Sequence, residues 1–243
     1  MRTLYDYPLL LRIQQSPAKT IAQRSIPQLR AFVNGYDRLR QIANLNEITE
    51  RLHKQPPLSR FLERRHRVAL EDRHWSSLFT LTSESETEAF EHFFEAVSAY
   101  ERTFPLAKNN VPRYELRKRA DEGYYDLQLW FYDLLKDPER HLNEVSLRCI
   151  RCFIEGYYHC KREHGLAFTR FEQHLFFYCN DLSTQLDLAS PFATWDRIFA
   201  WLHPGHARGV HLIDQFLTGL ERNRHIKVLR PAAMVQEANY STT

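Results

Sequence analysis

Apolar side chains recur along most of this chain at intervals of three and four, the spacing that gathers them on one face of a helix. Ile26, Leu29, Phe32, Val33, Tyr36 and Leu39 form one such stripe. Ser25 precedes it as an N-cap, with Pro27 in the first turn and Gln28 three residues on. Leu147, Ile150, Phe153, Ile154 and Tyr157, behind Ser146, form another. The pattern predicts further helices over 5–13, 57–70, 88–102, 114–135, 168–179 and 207–222. Trp75 to Leu81 and Trp195 to Leu202 are short apolar segments, and Leu78-Phe79-Thr80-Leu81 also reads as a strand. Phe104 to Pro112 reads as a linker, and Met234 to Thr243 as a polar, frayed tail. The expected fold class is all-α, with at most a minor strand near residues 78–81.

Sliding the chain against itself by 121 residues superimposes two of these stripes. Pro17 falls on Pro138, Ser25 on Ser146, Arg30 on Arg151, Phe32 on Phe153 and Gly35-Tyr36 on Gly156-Tyr157. A shift of 120 then sets Trp75 on Trp195, Phe79 on Phe199, Phe93 on Ile213, Val97 on Leu217 and Glu101-Arg102 on Glu221-Arg222. Arg60-Phe61 matches Arg170-Phe171 only with compensating insertions. The expectation is two tandem helical units, 1–105 and 106–230, the second including a linker helix, with 231–243 as a tail. They would pack about an approximate internal two-fold, as two units or as one compact domain. A glycine inside a helix costs about 1 kcal/mol against alanine. Its place in both stripes predicts another element packed closely there.

Composition narrows the function. The 33 basic and 30 acidic residues nearly balance, which argues against a dedicated nucleic-acid binder. Seven glycines are too few for a turn-rich β design. No stretch approaches a membrane span, and the N-terminus lacks a secretory pattern. Four cysteines, at 149, 152, 160 and 179, do not read as a disulfide framework. A reducing cytoplasm is therefore the expected location.

Candidate chemistry is sparse. Cys149, Cys152, His159 and Cys160, with His164 nearby, are metal-ligand types. They lie inside an expected helix, and Gln28 and Ala31 stand at the positions matching Cys149 and Cys152, so a structural reading without metal is preferred. His203 and His206 flank a turn and lack a partner acid or nucleophile at fixed spacing. Nucleophile elbows, phosphate-cradling glycine loops and zinc-helix motifs are absent. The chain therefore reads as a non-enzyme without a cofactor or a small-molecule substrate. Arg113, Arg117, Lys118 and Arg119 alternate with acids and read as a solvated helix face. Asp121, Glu122, Tyr124 and Tyr125 combine acids with aromatics, the mixture of a partner-binding surface, beside the plainer reading of an amphipathic helix. Trp75 and Trp195 recur at matching places and read as core.

Pro17, then Ser25-Ile26 … Leu29 … Phe32 … Gly35-Tyr36, then Trp75 and Ala89-Phe90 … Phe93-Phe94, resembles the immunity proteins encoded beside bacterial polymorphic secreted toxins. The resemblance covers residues 9–105 and, through the repeat, more weakly 130–226. It implies a small helical unit, here in two copies, whose partner is a cognate protein toxin that it binds and neutralises. It implies no individual contact residue. A helical scaffold or regulator with a protein or RNA partner is the alternative, and a metal-dependent enzyme using the Cys/His-rich second half is a further one.

Overall fold

A computed structural model of the chain describes residues 7–42, 58–70, 74–104, 127–137, 141–142, 144–184, 194–203 and 210–224. Among these the secondary structure is helical throughout, with no strand. The first half contributes α1 (Tyr7–Gln15), α2 (Pro17–Thr20), α3 (Ile26–Ile42), α4 (Leu58–His66), α5 (Trp75–Thr82) and α6 (Glu86–Thr103). The second contributes α7 (Leu127–Lys136), α8 (Leu147–Glu163), α9 (Arg170–Thr184), α10 (Trp195–Leu202) and α11 (Val210–Arg224). Buried apolar side chains from both halves, Leu9 through Leu220, make one continuous core.

The alternative strand reading of 78–81 is corrected: these residues belong to helix α5. His74 supplies the reason at its start, where its Nδ1 accepts a hydrogen bond from the Ser76 amide at 3.3 Å. Trp75, Leu78 and Phe79 then bury together, while Leu81 is 76 % exposed. A strand would send Leu78 and Phe79 to opposite faces. A helix puts both on one.

The two 17-residue helices α3 and α8 form the centre and share the most extensive contact between elements. They run side by side in the same direction: Cys152 faces Gln28 near their starts, and the Tyr36 hydroxyl donates to Glu163 Oε2 at 2.8 Å near their ends. Ser146 caps α8, its Oγ accepting from the Cys149 amide at 3.3 Å. Ser25 and Ser146 also offer their carbonyls to the first helical amides, Leu29 at 2.9 Å and Ile150 at 3.1 Å.

Both glycines lie where these helices cross. A Cβ on Gly35 would overlap the Phe153 carbonyl, and one on Gly156 would overlap the Phe32 carbonyl. In each case the opposing carbonyl carbon stands 2.8 Å from the Cβ position. The close approach expected from the sequence is therefore between the two glycine-bearing helices themselves. The seam is closed there by backbone, not open to a partner.

The short helices pack alike on their long neighbours. Trp75 lies over Phe93 of α6 at 4.4 Å and 30°, and Phe79 meets the same ring edge-on at 5.5 Å and 89°. Trp195 lies over Phe216 of α11 at 4.6 Å and 23°, and Phe199 meets it at 5.6 Å and 86°. Both tryptophans are core residues, as expected. The shift of 120, which pairs Phe93 with Ile213, is one helical turn short in these last helices. Phe216 occupies the place of Phe93. A face nearly repeats after three or four residues, so an apolar stripe alone does not fix which turn packs where. Arg60-Phe61 and Arg170-Phe171 have different settings: Phe61 meets Tyr100 of α6 at 5.4 Å, whereas Phe171 faces Phe131 of α7 at 6.1 Å.

Candidate functional site

The metal-ligand candidates are on α8 and face separate surroundings. Cys149, Cys152 and Cys160 are all buried. The Cys152 sulfur lies 3.8 Å from both the Ile21 carbonyl and Gln28 Oε1, inside the α3–α8 seam. Burial pushes the Cys149 thiol up to about 12 and raises the Cys152 and Cys179 thiols well above their ordinary value, so none is a ready thiolate. The His159 ring sits 6.1 Å from the rings of Phe32 and Tyr36, with Nε2 3.9 Å from Glu163. His164 closes α8 as its C-cap. Among the described residues no three His, Cys, Asp or Glu side chains are grouped as metal ligands. His203 packs its ring 4.4 Å from that of Phe199 at the end of α10. His206, the partner-binding candidates Asp121, Glu122, Tyr124 and Tyr125, and the basic run Arg113 to Arg119 lie outside the described residues.

The structure assembles two buried ion pairs that the sequence reading passed over. Arg151 Nε of α8 stands 3.0 Å from Asp196 Oδ1 of α10, both side chains buried. Burial disfavours the Arg151 charge, but Cys152, Asp196 and Glu155 around it raise its pKa on balance. Lys161 of α8 meets Glu172 of α9 at 2.5 Å, again with both buried. Lys161 Nζ also donates to the Ala167 carbonyl at 2.8 Å and lies over the Tyr157 and Phe168 rings. Glu172 accepts from the Thr169 amide at 2.8 Å, and Thr169 Oγ1 accepts from the Glu172 amide at 3.3 Å. Thr169-Arg170-Phe171-Glu172 is thus a capping box, a signal readable in the sequence. Burial raises the Glu172 pKa against the opposing pull of Lys161. Such pairs join α8 to its neighbours.

Among the described residues most aromatic side chains are spent on the core, with an exception on two adjoining helices of the second half. Phe176 and Phe177 of α9 are 50 % and 54 % exposed, and Trp201 of α10 is 66 % exposed, followed by Leu202 at 39 %. The signal was in the sequence. Leu175, Tyr178, Cys179 and Leu182 fill the buried face of α9, which leaves Phe176 and Phe177 no room on it. Trp195, Ile198 and Phe199 likewise use up the inward face of α10. Exposed aromatic and aliphatic side chains of this size are the usual anchors of protein–protein contacts.

No family model, no curated protein and no solved structure matches this chain. The case for a function therefore rests on its own residues. Among the described residues no helix is long and apolar enough to cross a membrane.

Proposed function

We propose that this chain is an immunity-type binding protein that neutralises a bacterial toxin domain by protein–protein contact. The observation that carries the reading is the exposed set Phe176, Phe177, Trp201 and Leu202, the large aromatics among the described residues that stand half or more in solvent together with the leucine beside them. The resemblance of residues 9–105 to toxin-immunity proteins supports it from the sequence side. In this reading α9 and α10 carry the anchors, while the glycine-locked pair α3 and α8 holds them on a rigid base. The producing cell's cytoplasm is its place of action, where the four thiols stay reduced.

The test is co-expression with the toxin encoded beside the gene. The protein should protect the cell and co-purify with the toxin. Trp201→Ala and Phe177→Ala should each weaken the complex by about tenfold or more, while thermal stability stays put. A protein that neither protects nor binds sinks the proposal. A regulator of another cellular protein would use the same anchors, and would be recognised by capture of that protein with equal sensitivity to Trp201→Ala.

A further inference from the structure

A cleft of about 350 Å³ lies between α1, α4 and α6, far in sequence from the exposed aromatics. Gln14, Arg65, Phe94, Glu95, Ser98 and Arg102 line it. Phe94 is 1 % exposed and forms its apolar floor. Two guanidinium groups reach it, from the last turns of α4 and α6. Cations there complement the helix dipoles, yet neither arginine makes an ion pair among the described residues. Each side chain carries up to five N–H groups in a planar fork. Gln14 brings an amide donor.

The other polar groups sharpen the chemistry. The Ser98 hydroxyl hydrogen is committed to the Phe94 carbonyl at 2.8 Å, so Ser98 adds no donor. Glu95 opposes an anion. The cleft's charge is therefore positive by one, concentrated on the two forks. A volume of this size suits a small molecule rather than a helix or strand.

We propose that this cleft binds a small ligand carrying an oxyanion, a carboxylate or a phosphate, held between Arg65 and Arg102. The site is independent of the toxin-binding reading.

The full chain, labelled with ¹⁵N, would be titrated with inorganic phosphate and, separately, with succinate at constant ionic strength. The expected result is a saturable shift of the Arg65 and Arg102 Nε–H signals, with millimolar dissociation, for at least one of the two probes. Phosphate alone would assign a phosphate ligand, and succinate alone a carboxylate. Arg102→Gln and Arg65→Gln should each weaken binding by about tenfold. Glu95→Gln should tighten it, because a like charge leaves the wall. All three positions are exposed, so the fold should be kept. No saturation with either probe overturns the proposal. So does unchanged affinity in both arginine variants, or an equal response at the exposed Arg148 on the other half.

Discussion

Two contacts in this molecule have the same frame and different electrostatics. In the first half, Arg30 of α3 reaches Ser76 of α5, Nη1 to Oγ at 3.3 Å. In the second, Arg151 of α8 meets Asp196 of α10 at 3.0 Å. The residues correspond under the shifts that align the stripes, and Trp75 and Trp195 precede the two acceptors. Where the acceptor is a hydroxyl, burial pulls the arginine pKa down to about 10. Where it is a carboxylate, Cys152, Asp196 and Glu155 together raise the arginine pKa against the pull of burial. A similar packing of short helix on long helix thus tolerates either a neutral or a charged link. Shape comes from the rings and glycines, and the polar group is free to differ.

The sharpest way to break this comparison is to remove the acid. Asp196→Ala takes from the buried Arg151 its ion-pair partner at 3.0 Å, with Glu155 the remaining acid acting on it, and should cost about 3 kcal/mol in urea unfolding. Ser76→Ala, the matching change, should cost about 1 kcal/mol. Equal losses would show that the two links are not different in kind.

Next in size are the crossing glycines. Gly35→Ala and Gly156→Ala must each push one helix off the other's carbonyl, at about 1–3 kcal/mol. Because the two contacts are reciprocal, the two losses should agree. A disparity of more than about 1 kcal/mol would mean that the halves yield differently at their seam.

A loss of stability on acidification is expected from His74 of the first half. Burial, with Arg30 nearby, holds the His74 pKa down to about 2, so the folded ring stays neutral. The unfolded ring takes a proton below its ordinary 6.5. Stability from this group is complete above pH 6.5 and is lost as pH falls towards the folded value, at up to about 1.4 kcal/mol per pH unit. His74→Thr, which copies Thr194 of the second half, should flatten the melting temperature between pH 6.5 and 5. An unaltered slope would place the proton uptake elsewhere.

The smallest effect is expected at the outward ends of the short helices. Leu81 and Trp201 correspond and are 76 % and 66 % exposed. Leu81→Ser and Trp201→Ser should each move stability by less than about 0.5 kcal/mol. A larger loss at Trp201 would mean that this side chain packs within the chain and is not a free anchor.

Much of the fold was legible beforehand, since burial follows from spacing. The stripes of α3 and α8 and the core tryptophans could be read residue by residue. So could the close approach at Gly35 and Gly156, because a glycine inside a helix must repay its entropy with contact. The register of α11 was not, since Ile213 and Phe216 lie on the same face one turn apart. The alternative strand reading of 78–81 failed because a four-residue run carries no period of its own; the cap at His74 decided it. Of the candidate site, Phe176, Phe177 and Trp201 were readable by elimination, and the Thr169 capping box by motif. Asp196 and Lys161 carried no such mark.

The sequence by itself determined that this chain is helical, which faces are buried, and that two of its glycines meet other backbone. Those properties are local, set by side-chain spacing and by the missing Cβ. Only the tertiary structure decided that the glycines meet across each other's helices, that Arg151 finds Asp196 and Lys161 finds Glu172, and that three helices leave a cleft between Arg65 and Arg102. These pairings join residues from different elements, and no periodicity along one helix carries the orientation of its neighbour.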